Sequence, residues 1–271
     1  DLFHLDGKDV LIMSPIKMDR QGIEYHNTSS TAAFIGELDW NKGKFEVENS
    51  HEIDYGLDFY APQTLLDDQG RRIMIAWMQM WGRTLPTDVL GHSWAGSMTL
   101  PRQLSVENNI LHQKPVAEIV KSVRVENTMS NFVVDNEVLE IETQVDKNNY
   151  YKFLIDTENS EQFTITLSGT NNGGLNLGYD KTTGLLTFSR KDYGYEIKGD
   201  EVDHLTQRQL LLDKTVFELE IFMDTSSIEI FVDNEKTMTF TFYRTSLDSN
   251  CTIYSKGILK IGSLGMGCVE V

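Results

Sequence analysis

Between Val216 and Val232 apolar and polar positions alternate with a period of two. Phe217, Leu219, Ile221 and Met223 are interleaved with Glu218 and Glu220; after a turn at Asp224 to Ser226, Ile228, Ile230 and Val232 share a face that Glu229 opposes. Successive side chains of a strand point to opposite faces, so this pattern predicts a half-buried antiparallel hairpin. Val138 to Thr143, Phe153 to Ile155, Phe163 to Leu167 and Leu185 to Phe188 give further short strands, separated by turn clusters such as Asn171-Asn172-Gly173-Gly174. Short strands at this spacing, with hardly a helical pattern among them, predict a β-sandwich.

The first part of the chain also reads as short strands, at Ala33 to Glu37, Lys44 to Val47, Phe59 to Leu65 and Arg72 to Met78. Aromatic and charged residues crowd together here, and the strands recur in groups of about 50 residues, which fits the blades of a propeller as well as a barrel or a second sandwich. All five prolines lie at or before position 115 and all four tryptophans at or before position 94, so the composition changes after Pro115. We place the boundary at 113–125, where Pro115-Val-Ala-Glu-Ile-Val is expected to form a short connecting helix with Pro in its first turn. The opening run Asp1-Leu-Phe-His-Leu-Asp-Gly-Lys-Asp-Val lacks an initiator methionine and enters a hairpin at once, with Asp6-Gly7 as the turn. That start leads us to expect either a trimmed leader or the back part of a longer protein.

Charge narrows the function classes. A formal net charge of −17 and a pI near 4.7 argue against a nucleic-acid partner, which needs clustered Lys and Arg. No apolar run reaches the roughly 20 residues that cross a bilayer, so no membrane association is expected. The six histidines, at 4, 26, 51, 92, 112 and 204, form no ligand-spaced pair, and neither metal nor cofactor is implied. Cys251 and Cys268 are expected as free, partly buried thiols.

Four blocks carry a resemblance. Asp54-Tyr-Gly-Leu-Asp-Phe-Tyr-Ala-Pro-Gln-Thr64, followed by Gly70-Arg-Arg-Ile-Met-Ile-Ala-Trp-Met78, resembles glycoside hydrolase family 32, the β-fructofuranosidases, which include invertases and sucrose-6-phosphate hydrolases. Thr99-Leu-Pro-Arg-Gln-Leu-Ser105 resembles the segment leaving the family's last blade, and Ser227-Ile-Glu-Ile-Phe-Val232 its C-terminal sandwich signature. The resemblance implies an all-β fold, the last blades of a five-bladed propeller followed by a sandwich. Residues 1–112 would hold the end of blade 3 with blades 4 and 5, and residues 126–271 the sandwich.

Asp1-Leu2-Phe3 looks like the end of the family's Glu-Cys-Pro-Asp motif, which puts the acid/base glutamate upstream of Asp1. The nucleophile's Asn-Asp-Pro-Asn segment and the stabilising Arg-Asp-Pro segment do not occur in these 271 residues. Retaining hydrolysis needs two carboxylates about 5 Å apart, one protonated through a raised pKa. The chain alone is therefore expected to be inactive and to have no catalytic residue of its own. By the resemblance, Asp54 lies near the acid/base glutamate, and a neighbouring negative charge would raise that group's pKa. Asp58 and Tyr60 stand two apart on a strand and are expected to share a pocket face. Trp77 is expected to line the fructose subsite, offering a flat apolar surface and an indole donor. Trp81 and Trp94 are rim candidates. Arg102 is expected in a structural ion pair near the domain junction.

The expected function is the C-terminal part of a bacterial, cytoplasmic enzyme cleaving β-fructofuranosides such as sucrose, sucrose-6-phosphate or fructan. The expected partners are a fructose-containing sugar and either the absent N-terminal half or a second copy, because a propeller cut between blades exposes an apolar face. A different class also fits: a stand-alone carbohydrate-binding protein in which Trp77, Trp81 and Tyr60 hold sugar without cleaving it.

Overall fold

The computed structural model describes residues 1–143, 149–170, 173–199, 206–245 and 250–270. Asn171, Asn172 and His204 lie outside the described residues. The chain opens with four strands, β1 (Leu2–Leu5), β2 (Lys8–Met13), β3 (Ala32–Asp39) and β4 (Lys44–Glu52), paired antiparallel in chain order. Leu2 to Leu5, expected to close an earlier blade, instead form the edge of this complete sheet. Asp6 and Gly7 both adopt positive φ, at 50° and 83°, which folds β1 directly back onto β2.

A second sheet has the order β5 (Tyr60–Leu66), β6 (Arg72–Trp77), β8 (Arg102–Glu107) and β9 (Ile110–Pro115). A loop between β6 and β8 carries the two-residue β7 (Arg83–Thr84) and the one-turn α1 (Pro86–Val89). Asn108 and Asn109, at φ 51° and 60°, make the tight turn from β8 to β9. The two four-stranded sheets share one core, in which Phe3, Val10 and Ile35 of the first meet Phe59, Met74 and Leu104 of the second. Two antiparallel four-stranded meanders packed through such a core are successive propeller blades.

The last blade strand runs to Pro115, and α2 (Ala117–Lys121) leads into β10 (Val123–Asp135), so the connection is shorter than the 113–125 expected from composition. Pro115 ends β9 rather than starting the helix. The remaining strands are β11 (Val138–Ile141), β12 (Tyr150–Thr170), β13 (Gly173–Asp180), β14 (Leu185–Ser189), β15 (Lys198–Gly199), β16 (Gln207–Leu211), β17 (Val216–Met223), β18 (Ser227–Val232), β19 (Lys236–Thr241) and β20 (Cys251–Val269). The 21-residue β12 and 19-residue β20 pair with each other along most of their length and belong to both halves of the sandwich. At one end they continue into β17, β18 and β19; at the other into β13, β14 and β16. Register shifts between Leu154 and Gln162 mark the crossover. The halves close over one apolar core, where Phe188 of β14 meets Phe240 of β19 with ring centroids 4.3 Å apart.

Cys251 and Cys268 are unpaired, and burial pushes the Cys251 thiol up to about 12. Among the described residues no helix is long and apolar enough to cross a membrane.

Candidate functional site

The segment Asp54–Asp58 leaves the first blade and lies along the edge of β19. The Tyr55 amide donates to the Thr237 carbonyl at 2.8 Å, and the Asp58 amide to the Thr239 carbonyl at 3.0 Å. A blade loop thus covers the open edge of β19, with the Asp54 and Asp58 carboxylates accepting the Thr239 and Thr241 amides. Leu57, 1 % exposed, enters the sandwich core, while Phe59 two residues on joins the blade core. Gly56 permits the approach, because a Cβ there would overlap the backbone of Thr239.

The carboxylates on this segment face arginines. Asp54 Oδ1 accepts from the amides of Gly56 at 2.8 Å and Thr239 at 2.9 Å. Its Oδ2 accepts from Arg102 Nη1 at 3.0 Å, Thr237 Oγ1 at 3.0 Å and Thr239 Oγ1 at 2.6 Å. Arg102 also donates to Glu229 Oε2 from Nε at 3.1 Å and from Nη2 at 2.5 Å. Its guanidinium lies between Phe59 of the blade and Phe231 of the sandwich, 5.0 and 5.1 Å from the ring centroids. Burial alone would lower the Arg102 pKa, but Glu229 and Asp54 outweigh it and hold the guanidinium charged.

Asp58 is ion-paired with Arg83 and, through Oδ2, with Arg190 at 2.6 Å, and the Thr241 amide donates to it at 2.7 Å. Burial pushes this carboxyl up, yet Arg190 and Arg83 prevail and keep it below the ordinary aspartate range. A third pair joins the same seam: Arg208 Nη2 donates to Glu52 Oε2 at 2.7 Å, and burial raises Glu52 to about 7. Three acids from the stretch 52–58 are therefore each met by a buried arginine. The seam expected to be a sugar pocket at Asp54 and Asp58 is occupied by the protein itself. Arg102 is an interdomain ion pair. Asp58 and Tyr60 do not converge, because the Tyr60 hydroxyl turns to the Ser14 carbonyl at 3.3 Å.

Tyr60 and Trp77 are cross-strand partners at one end of the second blade. Trp77 is half-buried, and its ring meets that of the exposed Trp81 edge-on, with centroids 5.3 Å apart. Trp94 is 46 % exposed and does not stack with them. Gly96 passes so close to the Trp77 indole that a Cβ would press on its nitrogen, which fixes the ring. Gln79 is a residue the sequence reading missed. It is 4 % exposed, its Oε1 accepts from the Met80 amide, and its Nε2 has no acceptor among the described residues.

The described residues thus form two blades joined to a sandwich, with an aromatic wall at the blade end and an arginine-laced seam between the domains. Residues 1–115 match the model of the glycosyl hydrolases family 32 N-terminal domain, and residues 108–264 that of the glycosyl hydrolases family 32 C terminal. The chain belongs to glycosyl hydrolases family 32. It is 35 % identical over 239 residues to the sucrose-6-phosphate hydrolase of Bacillus subtilis (strain 168), which covers 86 % of this chain and 46 % of that protein. The sucrose-6-phosphate hydrolase from Lactobacillus gasseri superimposes with a TM-score of 0.81 at 22 % identity, over 99 % of this chain and 54 % of that one. A variant of the Bombyx mori beta-fructofuranosidase in complex with sucrose superimposes with a TM-score of 0.69 at 25 % identity, over 97 % and 52 %. The chain spans about half the length of the curated relatives it matches.

Proposed function

We propose that the whole protein cleaves β-fructofuranosides with retention, in the bacterial cytoplasm, and that this chain supplies one wall of its fructose site. The observation that carries the reading is the Tyr60–Trp77 cross-strand pair, fixed by Gly96 and extended by Trp81, in a family 32 chain. A fructose ring placed on Trp77 would lay its C–H surface on the indole. Asp54 and Asp58 support this wall from behind by holding blade to sandwich. With both acids bound by guanidinium, the two carboxylates of the reaction come from other parts of the whole enzyme. The same burial favours the second reading, a protein that binds sugar without cleaving it, and an assay of the purified chain against sucrose separates the two.

Titrating the chain with fructose or sucrose while following tryptophan emission tests the wall. Weak binding, on the order of 10 mM, is expected. It should fall about tenfold in Trp77→Ala, with the melting temperature little changed because the ring is only half-buried. An unchanged titration curve in that variant would remove Trp77 from the site.

The first blade leaves an apolar face uncovered. Leu2 and Met13 are each 46 % exposed, and the partly exposed Leu11 and Phe34 lie beside them in register. The partner proposed for this face is the complementary part of the whole enzyme or, without it, a second copy of the chain. Sedimentation at micromolar concentration should show a dimer or larger species, and Met13→Glu should shift it to monomer. A parent chain that runs as a monomer contradicts the assignment.

A further inference from the structure

The sandwich has two outer faces of unlike chemistry. That of β17–β19 is buried on the second blade through Glu229, Phe231 and Thr239, whereas that of β16, β14, β13, β12 and β20 carries two cross-strand rows of uncharged residues, the second of which ends against the exposed Glu140 of β11. One row reads Tyr254, Thr164, Gly178, Thr187 and Gln209; the next reads Thr252, Thr166, Asn176, Ser189 and Gln207. In a chain that is 24 % charged, ten neighbouring surface positions made of hydroxyl, amide, glycine and tyrosine set this face apart.

The first row lines a hollow of about 400 Å³. Gly178 makes its floor shallow enough to admit a ring, and Tyr254, 40 % exposed, stands at one side with Gln209 at the other. Gln209 Nε2 donates to Thr187 Oγ1 at 3.1 Å, which orients the amide across the strand pair. Beneath the floor the rings of Phe163 and Tyr179 stack with centroids 5.5 Å apart. Asp180 at the rim is already engaged, accepting from Gln162 Nε2 and the Thr182 amide, both at 2.8 Å. Lys256, across from Gln162, is paired with Glu161 at 2.7 Å. Asp180 is the single charged side chain on the lining, and because its donors are neutral its carboxylate is able to accept from a sugar hydroxyl as well. Hydroxyls and amides both donate and accept, as a neutral polyol requires, and a tyrosine face suits a sugar's C–H surface.

We propose that this hollow is a second, non-catalytic site for a neutral oligosaccharide, and specifically for a short β-fructosyl chain. The choice of fructose rests on the function proposed above; the site itself rests on the sheet face. The test uses the Trp77→Ala variant as background, so that loss of the blade-end site and loss of this one are read separately. Calorimetric titration of that variant with a fructo-oligosaccharide of three to five units should give a dissociation constant on the order of 1 mM. Adding Tyr254→Ala or Gly178→Val should weaken it by about tenfold. A Cβ at Gly178 meets nothing closer than 3.6 Å, so the valine fills the hollow without displacing the strand. Binding that is absent in the Trp77→Ala background, unaffected by both added substitutions, or seen only with a gluco-oligosaccharide of equal length overturns the proposal.

Discussion

Replacing Arg102 with methionine is expected to lower stability by about 3–5 kcal/mol, among the largest single effects in the chain. The side chain is fully buried, and its removal leaves Asp54 and Glu229 facing each other in the seam with no cation between them. Each acid keeps part of its bonding, Asp54 through Thr237, Thr239 and two amides, Glu229 through the Leu100 amide at 2.7 Å. Those bonds do not cancel two buried negative charges, so the cost is mainly electrostatic. Urea unfolding measures it through the midpoint at constant slope. The electrostatic origin is checked by adding Asp54→Asn and Glu229→Gln, which should restore most of the loss. A single Arg102→Met variant within about 0.5 kcal/mol of the parent would show that the ion pairs contribute nothing net.

Gly56→Ala is the second large effect, and its cause is steric. Gly56 is not among the residues of positive φ, so the alanine meets no backbone penalty; it meets the carbonyl and amide of Thr239. The segment Asp54–Asp58 then has to leave β19, breaking the two backbone bonds to Thr237 and Thr239 and withdrawing Leu57 from the sandwich core. Loss of a buried leucine alone costs roughly 2–5 kcal/mol, and overpacking adds to it. A destabilisation of about 3 kcal/mol or more is expected, together with protease cleavage within residues 52–58. Gly7→Ala serves as the contrast. Its φ of 83° strains an alanine, but nothing lies within 4 Å of the added carbon, so about 1 kcal/mol is expected. Equal effects at both positions would mean that the seating of residues 54–58 on β19 does not hold the domains together.

The alternation of Phe217, Leu219, Ile221 and Met223 made the β17–β18 hairpin legible, and its register pairs Leu219 with Val232 and Ile221 with Ile230. The same pattern led to an exposed polar face, yet Glu220 and Glu229 are 5 % and 3 % exposed. A two-residue period marks which side meets the core; it carries no information about a second domain covering the other side. The long strands were legible only in pieces. Asp156 to Ser160 reads as a loop because the residues are polar, whereas β12 runs through them with shifted register against β20.

The site was legible where its chemistry is local. Tyr60 and Trp77 follow from one strand pair, and the Asp54-to-Asp58 block stands out as a motif. What that block touches was not legible, because its partners Arg190, Arg208 and Thr239 lie more than 130 residues further along the chain. An aspartate in a recognisable motif looks the same whether it faces sugar or a buried guanidinium.

β20 pairs with β10, β11 and β12 and is made after all three of them. Until it emerges, β10 and β11 have no strand partner and one side of β12 stays open, so translation cannot close the sandwich progressively from its N-terminal side. Folding of the sandwich must wait for β20 to clear the exit tunnel, and a nascent chain stalled short of Cys251 would present the edges of β10, β11 and β12 unpaired to its neighbours.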